Sequence, residues 1–402
     1  MPSGYLNVAI LVTLARRALK NIKVYNVNRV PQGMNSKILE EIAKEQFDEG
    51  HGAPDSYGPK EIAFFFVSQA IKASPEEHSL LFTRGFINYK LGNFQDAVED
   101  CSAALKLDPS FIRAYEIRGR SFCELGNYEE AIADSTQAIN MGTRDSDTFN
   151  SRGIAYFQIG RVGEAVRDIT LALEINPSND RLYSNLGWLL TFKGDYYGGL
   201  VNFSRAIDLN PNYRNPYYFR GKVLELLGRD EEARSDFLKV VGFNPSGQYG
   251  HSIRAEALEF LGRLEEALPN FTEITKNHPK DPLAWFNLGA TLKKLGWYIN
   301  AINALSTAID LTPSFLQAFS CRGDAYRLQG YSEEAKKDYK KAISLFLAKQ
   351  NKWKGDYESA IRAERGLRRV ERLENDSIEQ EVLQKGIISE RELAVWFRNE
   401  TK

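Results

Sequence analysis

The chain has 402 residues, of which 43% are hydrophobic and 26% are charged. Its 52 Lys and Arg residues nearly cancel its 53 Asp and Glu residues, and this balance argues against a general binder of nucleic acid, which needs an excess of cationic charge. Three cysteines cannot form a disulfide framework, so we expect a soluble intracellular protein, with the cytoplasm as the first expectation.

Residues 1–35 form a basic N-terminal segment. The first 39 residues contain six Lys or Arg, and Glu40 is the first acidic residue. The apolar run from Tyr5 to Ala15 is too short to cross a bilayer, and the positive charges follow it, unlike those of a secretory signal. The segment is typical of a mitochondrial transit peptide or an amphipathic surface helix, so membrane association is predicted only here. The alternative is a dispensable stretch, because Met34 offers a credible start.

Residues 36–77 are predicted to form a degenerate repeat that caps the array following it. Helices are expected at about Ser36 to Phe47 and at about Ile62 to Lys72, with a loop over 48–54 between them. The segment is in phase with the following repeats through four small or proline residues: Gly58, Ala63, Ala70 and Pro75.

Residues 78–349 consist of eight consecutive repeats of 34 residues, without an insertion. One series of small residues is predicted to mark the close crossing of two helices: Gly85, Gly119, Gly153, Gly187, Gly221, Ala255, Gly289 and Gly323. A second series, seven residues later, is predicted to end the first helix in a left-handed conformation: Gly92, Gly126, Gly160, Gly194, Gly228, Gly262, Gly296 and Gly330. Alanines mark a second helix, and prolines such as Pro109 and Pro177 end it.

Small, aromatic and proline residues at these spacings resemble the tetratricopeptide repeat, a helix–turn–helix of 34 residues. The resemblance covers about two-thirds of the chain, with Tyr115, Tyr183 and Trp285 in the aromatic column. It implies an all-α fold, a right-handed superhelical α-solenoid of helix-turn-helix repeats. The second and sixth repeats depart most from the pattern, with Thr143 in place of proline and His251 in the aromatic column.

Residues 350–402 are predicted to form a C-terminal capping helix and a short terminal helix. The capping helix, Lys354 to Asn375, carries an apolar seam that would cover the last face of the array: Tyr357, Ile361, Leu367, Val370 and Leu373. The terminal helix opens with a capping-box pattern at Ser389 and contains Trp396. It either docks onto the capping helix or binds a partner.

The sequence contains no recognisable pattern of catalytic or metal-binding residues. The four histidines are scattered along the chain without a thiol or carboxylate at ligand spacing, so we predict no metal site and no cofactor. The cysteines Cys101, Cys123 and Cys321 are interpreted as small buried residues. Phosphate-binding loops, nucleophile elbows and dinucleotide fingerprints are absent from the sequence, and the segments outside the repeats are short for a catalytic domain. We therefore expect a protein that is not an enzyme.

The resemblance implies that the first helix of each repeat lines a concave groove, in which a peptide or helix binds. The second, fifth, ninth and twelfth positions of each repeat face inward and place four large side chains there: Ile154, Phe157, Trp188 and Tyr218. Three cations are predicted to rim them: Arg120, Arg181 and Lys222. Aromatic residues beside arginine have the composition of a protein-binding hot spot, although the same rings could simply pack neighbouring first helices. No three successive repeats supply the cations and asparagines of a chaperone carboxylate clamp, so no clamp is predicted.

These patterns favour a non-enzymatic scaffold or adaptor that binds a protein partner in the groove, as a subunit or assembly factor of a larger complex. The alternative is an organelle- or membrane-associated receptor or assembly factor, mitochondrial among the possibilities, that its basic N-terminus directs to its location. Nucleic acid is not an expected partner.

Overall fold

The computed structural model describes residues 59–350 and 354–371, together with Lys385 and Ile387. The predicted basic segment, the predicted helix from Ser36 to Phe47 and the short helix predicted after Ser389 lie outside these residues. The chain divides into two compact units, residues 1–195 and residues 196–402.

The described residues of the first unit form eight helices: α1 (Pro59–Ala73), α2 (His78–Leu91), α3 (Phe94–Leu107), α4 (Ile112–Glu124), α5 (Tyr128–Asn140), α6 (Ser146–Gln158), α7 (Val162–Ile175) and α8 (Asp180–Phe192). Those of the second unit form ten: α9 (Tyr196–Leu209), α10 (Arg214–Leu226), α11 (Asp230–Gly242), α12 (Gly247–Phe260), α13 (Leu264–Asn277), α14 (Pro282–Lys294), α15 (Tyr298–Leu311), α16 (Leu316–Gln329), α17 (Ser332–Ala348) and α18 (Lys354–Glu371). Neither described part contains a strand, and the predicted all-α fold is confirmed.

From α2 to α17, two helices fall within each 34-residue repeat. Within each unit, every helix contacts the one before it and the one after it, as helical hairpins with short turns require. Successive first helices also contact each other, α2 with α4 and α4 with α6 in the first unit, and α14 with α16 in the second. The chain is therefore a helical-repeat protein, as its period predicts.

Glycine ends the first helix of every repeat. All eight members of the second glycine series have a positive φ, from 72° at Gly228 to 92° at Gly330. A Cβ is strained in this left-handed conformation, whereas glycine adopts it freely and lets the chain reverse at once into the second helix. The predicted left-handed turn is confirmed.

The first small-residue series lies where the two helices of a hairpin cross. A Cβ added at Gly289 would come 2.6 Å from Cγ of Leu305, and one added at Gly323 would come 2.7 Å from Cε1 of Tyr339. Both distances are shorter than van der Waals contact, so a side chain would force the helices apart. The predicted close crossing is confirmed at these positions.

An unpredicted set of ion pairs joins the helices of five hairpins, and we call each one an Arg clamp. The Arg before the crossing glycine donates to both carboxylate oxygens of an Asp 16 residues later, in the pairs Arg84–Asp100, Arg118–Asp134, Arg152–Asp168, Arg220–Asp236 and Arg322–Asp338. Four of these Arg residues also donate to a hydroxyl on the second helix of the preceding hairpin: Ser102, Thr136, Ser204 and Ser306. Each of these four clamps thus links three helices.

Helix α18 packs against α16 and α17 at the C-terminal end of the second unit. Of the predicted apolar seam, Ile361 is fully buried, and Tyr357, Leu367 and Val370 pack against the same core cluster. Leu373 lies outside the described residues. Among the helices of the described segments, none is both long enough and apolar enough to cross a membrane.

Candidate functional site

The first helices of the first unit carry a cluster of three aromatic rings on one side. Phe157 of α6 meets Trp188 of α8 edge-to-face, with ring centroids 4.3 Å apart, and meets Phe192 of α8 at 5.1 Å. The rings of Trp188 and Phe192 lie 6.0 Å apart. Aromatic pairs at these separations attract each other beyond their burial. We call Phe157, Trp188 and Phe192 the aromatic cluster.

The aromatic cluster is anchored to the core on one side and open on the other. Phe157 and Trp188 are half-buried and pack against the core residues Ile169 and Leu189. Phe192, in contrast, is 54% exposed. Phe157 and Trp188 therefore anchor the cluster to the core, while Phe192 presents an apolar ring to the surroundings.

Two other predicted site residues lie on the same side of the first unit. Ile154 precedes Phe157 by one turn of α6 and is 36% exposed. Arg181, in the first turn of α8, is exposed. The amide of Asn185 donates to that of Asn150 at 2.9 Å and joins α8 to α6 beneath this surface.

Arg120 is not a free cation at the rim, contrary to the prediction. Its side chain is only 10% exposed, and its guanidinium pairs with Asp145 and Asp147. Asp145 also caps α6 by accepting a hydrogen bond from the backbone N–H of Thr148 at 2.8 Å. Burial raises the pKa of Asp145, but Arg120 and Thr148 outweigh burial and hold that pKa below its ordinary value. Arg120 therefore stabilises the start of the next first helix.

Tyr218 and Lys222 belong to the second unit, and Tyr218 is buried there. Its hydroxyl donates to Glu256, and burial together with that carboxylate raises the pKa of Tyr218. Lys222 is exposed, with Nζ 2.8 Å from Oε2 of Glu225. Partial burial lowers the pKa of Lys222, but Glu225 and Glu256 outweigh it and raise the pKa above its ordinary value. Tyr218 thus offers no aromatic surface, and the structure brings Ile154, Phe157, Trp188 and Arg181 to one unit.

Charged side chains on the first helices of the second unit pair with one another. Lys294 lies 2.6 Å from Glu259, and Lys293 lies 3.0 Å from Asp324. The side chains of Lys293 and Asp324 are 12% and 10% exposed, so this pair is largely removed from water. These charges hold neighbouring first helices together.

Phe192 is the member of the cluster that the inward-position rule missed. It occupies the thirteenth position of its repeat, one residue beyond the last position assigned to the groove. The signal was available, because Phe192 follows Trp188 by four residues and so shares its face of the helix.

The described residues hold no group of metal-ligating side chains, and two of their thiols are poorly reactive. In residues 59–350 and 354–371, no three His, Cys, Asp or Glu side chains come together as metal ligands. Burial raises the pKa of the Cys123 thiol to about 11 and also raises that of Cys101. Both thiols therefore stay protonated at neutral pH, which makes them poor nucleophiles.

The family models that match this chain all carry the same description. Models described as "Tetratricopeptide repeat" match residues 79–111, 146–179, 215–246, 270–303 and 322–348. The chain is 42% identical over 59 residues to "Protein SGT1 homolog" of Oryza sativa subsp. japonica, which is 15% of this chain and 16% of that protein. It is 33% identical over 69 residues to "DnaJ homolog subfamily C member 7" of Mus musculus, or 16% of this chain and 14% of that protein. The chain thus matches about one-sixth of the length of these relatives.

One solved structure resembles most of the chain. In the APC/C hetero-tetramer Cut9-Hcn1, a chain aligns with 86% of this one and 64% of its own length, with a TM-score of 0.58 and 16% sequence identity. At this identity the likeness shows the fold alone. It agrees with the helical repeats that the 34-residue period predicts.

Proposed function

This chain belongs to the tetratricopeptide repeat family, and we propose that it is a non-enzymatic scaffold or adaptor that binds a protein partner. The partner, a peptide or a helix, binds the first helices of the first unit at the aromatic cluster. In this role the chain acts as a subunit or assembly factor of a larger complex.

The exposed ring of Phe192 beside Trp188 and Phe157 is the observation that supports this proposal. An aromatic side chain has about 150–250 Å² of surface, so about half of Phe192 leaves about 100 Å² of apolar area in water. Covering that area with a partner stabilises the complex by about 2.5 kcal/mol at 25 cal/mol per Å². Rigid aromatic anchors of this kind dominate the binding energy of protein interfaces.

The positions of neighbouring groups suit a protein partner. Ile154 extends the apolar area along α6, and Arg181 supplies an exposed donor at the start of α8. An apolar centre with a polar group at its edge is the usual anatomy of a protein interface. The raised thiol pKa values of Cys101 and Cys123 support a role without covalent chemistry.

A double variant, Trp188→Ala with Phe192→Ser, tests the proposal. Proteins that wild type retains in affinity capture with mass spectrometry should be lost, and the purified partner should bind at least about tenfold more weakly in calorimetry. The matched control is Leu347→Ser, which removes a side chain that is 68% exposed on the second unit and should leave binding unchanged. Circular dichroism verifies that both variants remain helical. Undiminished capture by the folded double variant would exclude the cluster as the binding site.

The alternative of a receptor addressed by its basic N-terminus concerns residues 1–35, which lie outside the described residues. It stays a prediction from sequence.

A further inference from the structure

The second unit contains a pocket of about 260 Å³ that the proposed function does not use. It lies between the second helices α9 and α11, beside α10 and the turn after it. Its lining includes Leu200, Ser204, Arg220, Leu224, Arg229 and Ser235. The pocket is below the usual size of sites for whole small molecules and suits a single side chain.

The third repeat shows what fills the corresponding place when it is occupied. There the ring of Tyr156 lies between two guanidinium groups, 5.7 Å from that of Arg152 and 4.6 Å from that of Arg161. Arg152 belongs to an Arg clamp, and Arg161 pairs with Glu164 at 2.7 Å. Cation–π attraction and burial therefore hold this ring in place.

Two other repeats place a ring against the clamp in the same way. Phe122 lies 6.0 Å from the guanidinium of Arg118, and Tyr326 lies 5.7 Å from that of Arg322. Both rings stand four residues after the clamp Arg, as Tyr156 does. An aromatic side chain at this position is thus a recurrent partner of the Arg clamp.

The fifth repeat has the same two arginines but no aromatic ring between them. Arg220 and Arg229 correspond to Arg152 and Arg161, but Leu224 takes the place of Tyr156. Within the described residues the guanidinium of Arg220 lies near one ring only, that of Tyr217 at 5.9 Å. Its side chain is 24% exposed, against 13% for Arg152. The pocket is the space that a tyrosine ring would occupy.

We propose that this pocket receives a Tyr or Phe side chain of a partner polypeptide, whose ring takes the position that Tyr156 has in the third repeat. Asp236 and Glu232 already neutralise Arg220 and Arg229, which favours a neutral ring over an anion. None of the residues that line this pocket belongs to the aromatic cluster.

Two exposed apolar side chains beside the pocket favour a polypeptide as the occupant. Tyr197 is 71% exposed and Val201 is 68% exposed, and they share one face of α9 because they are four residues apart. Tyr197 is close enough to Arg229 to interact with its guanidinium electrostatically. A free amino acid would leave both side chains in water, whereas residues flanking a bound ring would cover them.

The first experiment measures ligand binding to the full-length protein and to variants that fill the pocket in the fifth repeat or open the corresponding place in the third. N-acetyl-tyrosinamide and N-acetyl-phenylalaninamide should shift the methyl resonances of Leu200 and Leu224 at about tenfold lower concentration than N-acetyl-leucinamide. Leu224→Tyr and Leu224→Phe should remove the shift at Leu200, and Tyr156→Leu should create a second site. Thermal unfolding verifies the fold of each variant. Equal response to the leucine amide, or an unaffected Leu200 shift in both folded Leu224 variants, would overturn the proposal.

The second experiment separates a polypeptide from a free aromatic ligand. Peptides selected from a random library on wild type, and depleted on Leu224→Tyr, should contain Tyr or Phe with apolar neighbours. They should lose about tenfold in affinity for a Tyr197→Ser, Val201→Ser variant, whereas N-acetyl-tyrosinamide should bind that variant as it binds wild type. Binding of the amide without any enrichment of aromatic peptides would show that the pocket takes a free ligand and would refute the polypeptide occupant.

Discussion

We expect replacement of Arg152 by Leu to destabilise the third hairpin by about 3–5 kcal/mol, because the change leaves a buried carboxylate without its cation. Arg152 donates to the two oxygens of Asp168 at 2.7 and 2.8 Å and to the hydroxyl of Thr136 at 3.0 Å. Only 4% of the Asp168 side chain and 13% of the Arg152 side chain are exposed, so water cannot replace the lost partner.

Removing both charges should cost much less. The double variant Arg152→Leu, Asp168→Ala copies the seventh repeat, where Leu288 and Ala304 occupy these positions. Replacement of a buried ion pair by apolar residues is close to neutral, so we expect the double variant to lie within about 1 kcal/mol of wild type. The two substitutions should therefore show a coupling free energy of at least about 2 kcal/mol, since the single losses together exceed the loss of the double variant by that much or more.

The assay has to resolve one hairpin within an array, because repeat proteins do not always unfold in one step. Hydrogen exchange by mass spectrometry on peptides from α6 and α7 reports the local free energy of opening, and urea unfolding reports the whole chain. A loss below about 1 kcal/mol for Arg152→Leu, or additive losses in the double variant, would refute the clamp as a buried ion pair.

Two further predictions concern the second unit. Gly323→Ala should destabilise by about 1–3 kcal/mol in differential scanning calorimetry, because the new Cβ would lie 2.7 Å from Tyr339, whereas Gly163→Ala, with open space around it, should be neutral or stabilising. Burial raises the pKa of Asp324, but Lys293 outweighs it and keeps the pKa below its ordinary value, so the pair stabilises above about pH 4 and is lost as the pH falls further. Asp324→Asn should therefore cost about 3 kcal/mol at neutral pH and weaken the acid dependence of urea unfolding; an unchanged dependence would contradict the assignment.

The 34-residue period predicts the helices and turns well, because each residue of the two small-residue series is required by one local steric constraint. Gly160 requires a left-handed turn, and Gly153 requires a helix crossing at close range, whatever the rest of the molecule does. The Arg clamp was equally visible in the sequence, as Arg and Asp residues that recur 16 positions apart. Whether such a pair is a buried ion pair depends on the burial of both side chains, which the spacing alone does not predict.

The proposed binding surface was harder to predict, because the exposure of its side chains depends on the next hairpin along the chain. The position of Tyr218 in its repeat places it on the side of α10 that contacts the next first helix. Glu256, 38 residues later, accepts a hydrogen bond from its hydroxyl, and the side chain is buried. Arg120 likewise pairs with Asp145, which caps the following first helix. The empty site at Leu224 required comparison between repeats, since an absent ring gives no motif to search for.

The hydrogen bonds from the clamp Arg residues to the preceding hairpin make the contact between neighbouring hairpins asymmetric along the chain. Arg118 and Arg152 donate to hydroxyls of the hairpin before them, and Arg220 and Arg322 do the same in the second unit. During synthesis from the N-terminus, the acceptor hydroxyl emerges before the guanidinium that binds it, so each of these four hairpins meets an acceptor that is already in place. Loss of a hairpin from the C-terminal side leaves only a hydroxyl that can rotate toward water, whereas loss from the N-terminal side leaves a charged donor without its acceptor.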